Sequence, residues 1–119
     1  MKEGDRQKIT TIIQDRKESH RYYNEKSSVY RAFLGMEKAA FADGELSKRS
    51  KELIAIGISI ILNCESCLEW HIKQALDAGA TKEQIIEAVG VGIEMGGGPA
   101  TVSSRFAMKV LLYYDELGE

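Results

Sequence analysis

The segment 48–63 decides the fold class of this chain. Isoleucines at every second position from 54 to 60 alternate with small residues, a pattern that a β-strand would also show. The segment nevertheless predicts a helix, because it continues without a break from the helix-forming run 48–53 and is longer than a typical strand. No second convincing strand is present for it to pair with. A helix that is apolar on nearly every side belongs in the centre of a bundle or at a subunit interface.

Short breaks divide the rest of the chain into further helical segments. The sequence therefore predicts an all-α fold, one helical domain over residues 1–119 built as a bundle of about six helices. The first predicted helix runs from Asp5 to about His20, and the second runs from a cap at Ser27 or Ser28 to the break at Asp43-Gly44. The third runs from the cap Ser47 to Asn63, and the fourth begins at Asn63 and is ended by Gly79. The fifth begins with a capping box of Thr81 and Gln84, and the sixth has Pro99 as its first residue.

Composition and charge limit the classes of partner. Apolar residues make up 44% of the chain and charged residues 29%, the balance of an ordinary soluble globular protein. A net charge of -2 gives no electrostatic footprint for nucleic acid. The segment 1–8 is polar and unlike a signal peptide, and the longest apolar run, 53–62, is far shorter than the roughly 20 residues of a membrane helix. We therefore expect a cytoplasmic protein that binds neither nucleic acid nor membrane.

The motif Cys64-Glu65-Ser66-Cys67, followed by His71, carries the most chemical information in the sequence. In the cytoplasm, two cysteines are more often catalytic or metal-binding than a structural disulfide. With Asn63 as N-cap, both cysteines lie at the start of the fourth helix, where free backbone N–H groups and the helix dipole stabilise a thiolate. The two sulfurs can approach closely enough to form a disulfide. His71 lies one turn beyond Cys67 on the same helix face and can exchange a proton with its sulfur.

Other interpretations of the cysteine pair are weaker. A zinc site needs four ligands, and no second Cys/His pair is present, so zinc would require an acidic ligand or a site shared between subunits. Buried cysteines can also be inert. Haem attachment requires a histidine directly after the second cysteine, and Leu68 occupies that position. A thioredoxin fold requires strands that alternate with helices. The motif favours a redox-active pair, with metal-binding or structural cysteines as the alternative.

Glu52 is the fourth candidate site residue. It lies at the edge between the polar and apolar parts of the third predicted helix. If the third and fourth helices form an antiparallel hairpin, Glu52 comes level with His71 and can exchange protons with it. The alternative is an exposed acid paired with Lys48 or Arg49 on its own helix, and the spacing alone slightly favours that alternative.

These residues together resemble the alkylhydroperoxidase AhpD-like branch of the carboxymuconolactone decarboxylase family. The resemblance covers about residues 45–112 and rests on Glu52, the Cys-x-x-Cys pair and His71 at these spacings. The stretches 75–81 and 95–100 support it. Ser66 stands where AhpD proteins have a histidine, and the part of this chain before the motif is shorter. The resemblance implies an all-α fold and a homo-oligomer, a trimer or a hexamer.

The resemblance also implies an antioxidant, peroxidase-type oxidoreductase that reduces organic hydroperoxides and needs no haem, flavin or other cofactor. In the family's pattern, Cys67 attacks the peroxide, Cys64 resolves the sulfenic acid as a disulfide, and Glu52 with His71 relays protons. A dithiol or lipoyl-type reductant then regenerates the thiols. Two alternatives stay open. One is a lactone enzyme like the family's namesake, which works without a Cys-x-x-Cys pair, and the other is a non-enzymatic oligomeric helical module.

Overall fold

The computed structural model describes residues 1–118, and every regular element within them is an α-helix. The predicted all-α fold of about six helices is confirmed. The first helix extends beyond His20, because nothing after it breaks the helix before Ser27, whose hydroxyl caps the second helix. The helices are α1 (Glu3–Lys26), α2 (Ser28–Phe41), α3 (Lys48–Leu62), α4 (Glu65–Asp77), α5 (Lys82–Gly96) and α6 (Gly98–Glu116).

The ambiguous apolar segment forms α3, and its alternation resolves into two helical faces. Ile56 and Ile60 are fully buried on one face, whereas Ile54 and Ile58 are each 51% exposed on another. The two pairs separate because residues four apart lie on the same side of a helix. No helix in the described part of the chain, α3 included, has both the length and the apolar character needed to cross a membrane. α3 is therefore apolar on two sides, of which one packs within this chain.

The centre of the fold is α3, which packs against α4, α5 and α6. The backbones of α3 and α5 come close together at two glycines. A Cβ atom placed on Gly92 would lie 2.8 Å from the carbonyl oxygen of Gly57 and 3.0 Å from the Cβ of Ile60. This approach leaves no room for a side chain at position 92. The buried apolar core consists of Ile9, Ile56, Ile60, Leu68, Ile72, Ala75, Ala80, Ile85, Val89, Ala100, Phe106, Ala107, Val110, Leu111 and Tyr114.

The helix starts follow local cap signals in the sequence. The Ser47 hydroxyl accepts a hydrogen bond from the backbone N–H of Ser50. Thr81 and Gln84 form the predicted reciprocal capping box at the start of α5. Pro99 is the second residue of α6 and not the first as predicted, because α6 already begins at Gly98. A proline is tolerated at either position, since the first N–H groups of a helix have no partner within it.

Candidate active site

Cys64 and Cys67 are joined by a disulfide at the N-terminus of α4. Cys64 is the N-cap, and its Sγ accepts a hydrogen bond from the backbone N–H of Cys67 at 3.2 Å. The prediction that Asn63 caps α4 is wrong. Asn63 instead ends α3 in a left-handed conformation with φ of 51°, which asparagine tolerates better than most residues, and its Oδ1 accepts a hydrogen bond from the Ser103 hydroxyl. Both cysteines still lie at the positive end of the α4 dipole.

Glu52 and His71 form the second part of the site. α3 and α4 pack side by side, and Glu52 Oε1 lies 2.7 Å from His71 Nδ1. Glu52 is 2% exposed, and its Oε2 lies 3.1 Å from Lys48 Nζ. The pairing with Lys48 that the spacing favoured does form, but the carboxylate is buried and faces His71. The structure therefore combines both interpretations of Glu52.

The imidazole of His71 is held from two sides. Its ring stacks on Phe41 with the ring centres 5.3 Å apart, and its Nδ1 is hydrogen-bonded to Glu52. When Nδ1 carries the proton, it donates to the carboxylate, and Nε2 is the nitrogen that can accept or release a second proton. Such a pair fixes the tautomer and the orientation of the ring. It is suited to move protons at a neighbouring atom.

A cavity of about 670 Å³ opens beside the disulfide, between α1, α2 and α4. Cys67, Trp70 and His71 line it from α4, whereas Cys64 is not among its lining residues. Its volume is typical of sites that bind small organic molecules. A second cavity of about 390 Å³ borders Trp70 as well, and Glu52 lines that one. Of the two sulfurs, Cys67 is therefore the one that faces the larger cavity, together with His71.

A buried ion pair that the sequence pattern did not predict joins α1 to α4 near the cysteines. Glu69 is 1% exposed, and its Oε1 lies 2.5 Å from Arg16 Nη1. The hydroxyl of Tyr114 donates a hydrogen bond to the other oxygen of Glu69. Arg16 also donates to the carbonyl oxygen of Ser66 at 3.0 Å, and its guanidinium lies over the Trp70 ring. Arg16 therefore connects α1 to Ser66, one of the two residues between the cysteines.

The side chains of the described region do not form a metal centre. Within residues 1–118, no three His, Cys, Asp or Glu side chains are close enough to hold an ion together. In this structure the two sulfurs are bonded to each other. Residues 1–118 of one chain therefore do not provide a complete set of zinc ligands around the motif.

Sequence comparisons place these residues among known proteins. The model of the carboxymuconolactone decarboxylase family matches residues 27–109. "Uncharacterized protein 4 in cox locus" of Paracoccus denitrificans is 45% identical over 71% of this chain and 77% of its own length. An uncharacterized protein of Cupriavidus necator is 44% identical over 72% and 74%. Alkyl hydroperoxide reductase AhpD of Corynebacterium kroppenstedtii is 31% identical over 54% of this chain, but over only 37% of its own length.

Solved structures show the same fold. A carboxymuconolactone decarboxylase family protein from Legionella pneumophila superimposes with a TM-score of 0.78 at 29% identity, covering 94% of this chain and 98% of that one. A protein of the same family from Thermotoga maritima gives a TM-score of 0.83 at 24% identity, covering 91% and 92%. The second similarity shows the fold alone.

Proposed function

Because the chain belongs to the carboxymuconolactone decarboxylase family, we propose that it is a thiol-dependent peroxidase that reduces organic hydroperoxides through Cys64 and Cys67. One observation carries this proposal. Cys67, joined to Cys64 by a disulfide, lines a cavity of ligand size together with His71, whose ring is hydrogen-bonded to the buried carboxylate of Glu52. A nucleophile, a proton donor and a space for a substrate are the parts that this reaction requires.

Cys67 is the sulfur that attacks in this proposal. It lines the cavity and is the third residue of α4, where unpaired backbone N–H groups favour a thiolate once the disulfide is reduced. The thiolate forms a bond to the terminal peroxide oxygen, and the O–O bond breaks. The leaving alkoxide takes a proton from His71 and becomes an alcohol, while Cys67 becomes a sulfenic acid. Glu52 keeps the His71 ring in place through the hydrogen bond to Nδ1.

Cys64 closes the cycle. Its thiolate attacks the Cys67 sulfur, hydroxide leaves and is protonated to water, and the disulfide forms. A dithiol, for which a lipoyl group is the candidate by resemblance, then reduces the disulfide through a mixed disulfide. One hydroperoxide and one dithiol thus yield an alcohol, water and the oxidised dithiol. The cycle requires neither haem nor flavin.

Self-association is part of the same proposal. The outer face of α3 presents Ile54, Ile58 and Ile61, each 51% exposed, and Leu62 at 67%. An exposed apolar face of this kind supports a contact with another copy of the chain. We expect a trimer or a hexamer. Light scattering on the purified protein would return three or six times the chain mass of 13.2 kDa, and a mass of one chain would contradict the expectation.

The decisive experiment is a stoichiometric oxidation. The protein is reduced, freed of reductant and mixed with a slight excess of cumene hydroperoxide, and thiols, peroxide and protein mass are followed. Wild type should consume one peroxide per chain and close the disulfide. Cys67→Ser should do neither, and Cys64→Ser should form one sulfenic acid per chain. Glu52→Gln should slow the oxidation, whereas Glu45→Gln, at an exposed acid before α3, should not.

The proposal fails if the wild-type thiols react no faster than free cysteine. Activity on a lactone that depends on His71 but survives replacement of both cysteines would instead favour the lactone enzyme. Zinc that copurifies in proportion to the chain would favour metal-binding cysteines.

A further inference from the structure

The cavity beside Cys67 has one strongly basic wall. α1 contributes Arg16, Lys17, His20 and Arg21 to its lining, and Glu37 is the single carboxylate among the lining residues within residues 1–118. Three permanent cations therefore face one anion. The chain as a whole carries a net charge of -2, so this wall is not part of a general basic excess. A cavity lined by one sign of charge attracts ligands of the opposite sign.

Two of these cations have no partner in the described part of the chain. Arg16 is engaged by Glu69 and Ser66, and His20 Nδ1 lies 3.0 Å from the Tyr30 hydroxyl. Lys17 and Arg21, in contrast, make no hydrogen bond or ion pair within residues 1–118. They are four residues apart, so they lie on the same face of α1. They remain available for a negatively charged ligand.

The cavity lining also includes a group of apolar and aromatic side chains. Tyr30, Phe33 and Leu34 contribute from α2, and Trp70 contributes from α4. Phe33 is 51% exposed and no residue of α2 is buried, so the α2 side chains that line the cavity are not part of the buried core. Aromatic and aliphatic side chains of this kind favour an apolar ligand body.

We propose that the substrate is an organic hydroperoxide that carries a carboxylate at the end of an apolar chain; this inference rests on the peroxidase function proposed above. The carboxylate binds Lys17 and Arg21, the chain lies along Phe33 and Trp70, and the peroxide reaches Cys67. Arg16 contacts Ser66, the residue before Cys67. Arg21 lies five positions after Arg16, which is about 7.5 Å along α1. The carboxylate and the peroxide are therefore separated by several methylene groups.

The reaction balances as in the proposed cycle, because the carboxylate takes no part in it. The Cys67 thiolate takes the terminal peroxide oxygen, the O–O bond breaks, and the hydroxy acid leaves after protonation. Cys64 then displaces hydroxide from the sulfenic acid to form the disulfide, and a dithiol restores both thiols.

The first test compares ω-hydroperoxydecanoic acid with its methyl ester, which differ in the charged group alone. The rate at which each oxidises the reduced protein is measured at low ionic strength. We expect wild type to react with the acid about fivefold faster than with the ester. This is about the factor that two ion pairs of the carboxylate, with the exposed Lys17 and Arg21, can contribute. Added salt should reduce the difference. In Lys17→Gln/Arg21→Gln the ratio of the acid rate to the ester rate should fall to about one. A matched control, Lys2→Gln/Arg105→Gln, removes the same two residue types at exposed positions outside the cavity. This control should keep the wild-type preference for the acid over the ester.

The second test measures binding without any redox step. Trp70 is the one tryptophan of the chain and lines the cavity, so its fluorescence reports on occupancy. The disulfide form is titrated with ω-hydroxydecanoate, the product, and with its methyl ester. The acid should change the fluorescence at a lower concentration than the ester in wild type, and at the same concentration as the ester in Lys17→Gln/Arg21→Gln.

The outcomes separate the two proposals. Equal rates and equal affinities for acid and ester in wild type would overturn the inference while leaving the peroxidase intact. A preference that survives in Lys17→Gln/Arg21→Gln would also overturn it. If neither hydroperoxide oxidises the protein faster than free cysteine, the peroxidase and the substrate assignment fall together, even where Trp70 reports selective binding of the acid.

Discussion

Replacing Gly92 by alanine tests the close approach of α3 and α5. The new Cβ would lie 2.8 Å from the carbonyl oxygen of Gly57, and because that atom belongs to the backbone of α3, one helix must move. Overpacking of this kind costs about 1–3 kcal/mol. Alanine is also a better helix former than glycine by about 1 kcal/mol, which hides part of the cost. Gly90→Ala is the matched control, because it lies on the same helix and a Cβ there meets nothing within 4 Å.

The two variants share the gain in helix propensity, so the difference between them isolates the packing cost. We expect Gly90→Ala to be more stable than wild type and Gly92→Ala to be less stable than Gly90→Ala by about 1–3 kcal/mol. For a chain of this length, each kcal/mol corresponds to roughly 4 °C in Tm, so the difference is roughly 4–12 °C. Both Tm values are measured at one protein concentration, because an oligomer melts at a concentration-dependent temperature. Equal Tm values for the two variants would refute the close approach of the two helices.

Two smaller effects follow from contacts at helix ends. Thr81→Ala removes the capping box of α5 and should lower the free energy of unfolding by about 1 kcal/mol. Thr11→Ala, at an exposed position inside α1, should not lower it, because alanine is the better helix former. Equal losses of stability in thermal melts of the two variants would contradict this. The hydrogen bond from the Met1 ammonium, with the charge of Arg6, lowers the pKa of Glu116 below 4.5. Its contribution to stability is therefore present above pH 4.5 and is lost as the pH falls through the lower, folded-state pKa. The Tm difference between wild type and Glu116→Gln should shrink below pH 4.5, and a difference that grows there would contradict the assignment.

The parts of the fold that depend on local chemistry could be predicted from the sequence. The capping box of Thr81 involves residues three apart, and α3 differs from a strand in length and in its unbroken start. Errors occurred where two local signals compete. Asn63 is a good N-cap residue, but it also tolerates the left-handed conformation that ends a helix, so Cys64 takes the cap of α4.

The candidate site was predictable where its residues lie on one helix and less so where helices meet. The spacing of Cys64, Cys67 and His71 is a property of α4 alone. The burial of Glu52 depends on the packing of α3 against α4, which the spacing of charges along α3 does not contain. The spacing therefore indicated the Lys48 pair but not the depth of the carboxylate.

Arg16 and Glu69 were missed because their pairing joins distant parts of the chain. A charged residue on a helix is usually exposed, and no pattern within α1 identifies the partner of Arg16. A signal does exist in α4, where Glu69 directly follows Leu68 and precedes Ile72 by three positions, on the buried side of the helix. A carboxylate in an apolar stripe requires a cation or hydrogen-bond donors from another element. The position of Glu69 in this stripe therefore indicates a buried ion pair beside the cysteines. It does not indicate which cation forms the pair.

The contacts around the cysteines also predict how the fold responds to reduction. The disulfide spans a sequence separation of three residues, and so short a loop removes little entropy from the unfolded chain, about 2 kcal/mol by the usual loop-closure relation. The same segment is held independently by the Arg16 contacts to Ser66 and Glu69 and by the helical hydrogen bonds of α4. Reduction with a dithiol should therefore leave the helical circular dichroism unchanged and lower the Tm by no more than roughly 8 °C. Cys64→Ser/Cys67→Ser should melt close to the reduced wild type, since it lacks the same cross-link. Loss of helix at 25 °C on reduction would mean that the disulfide is structural, and a thiol cycle on this site would then be excluded.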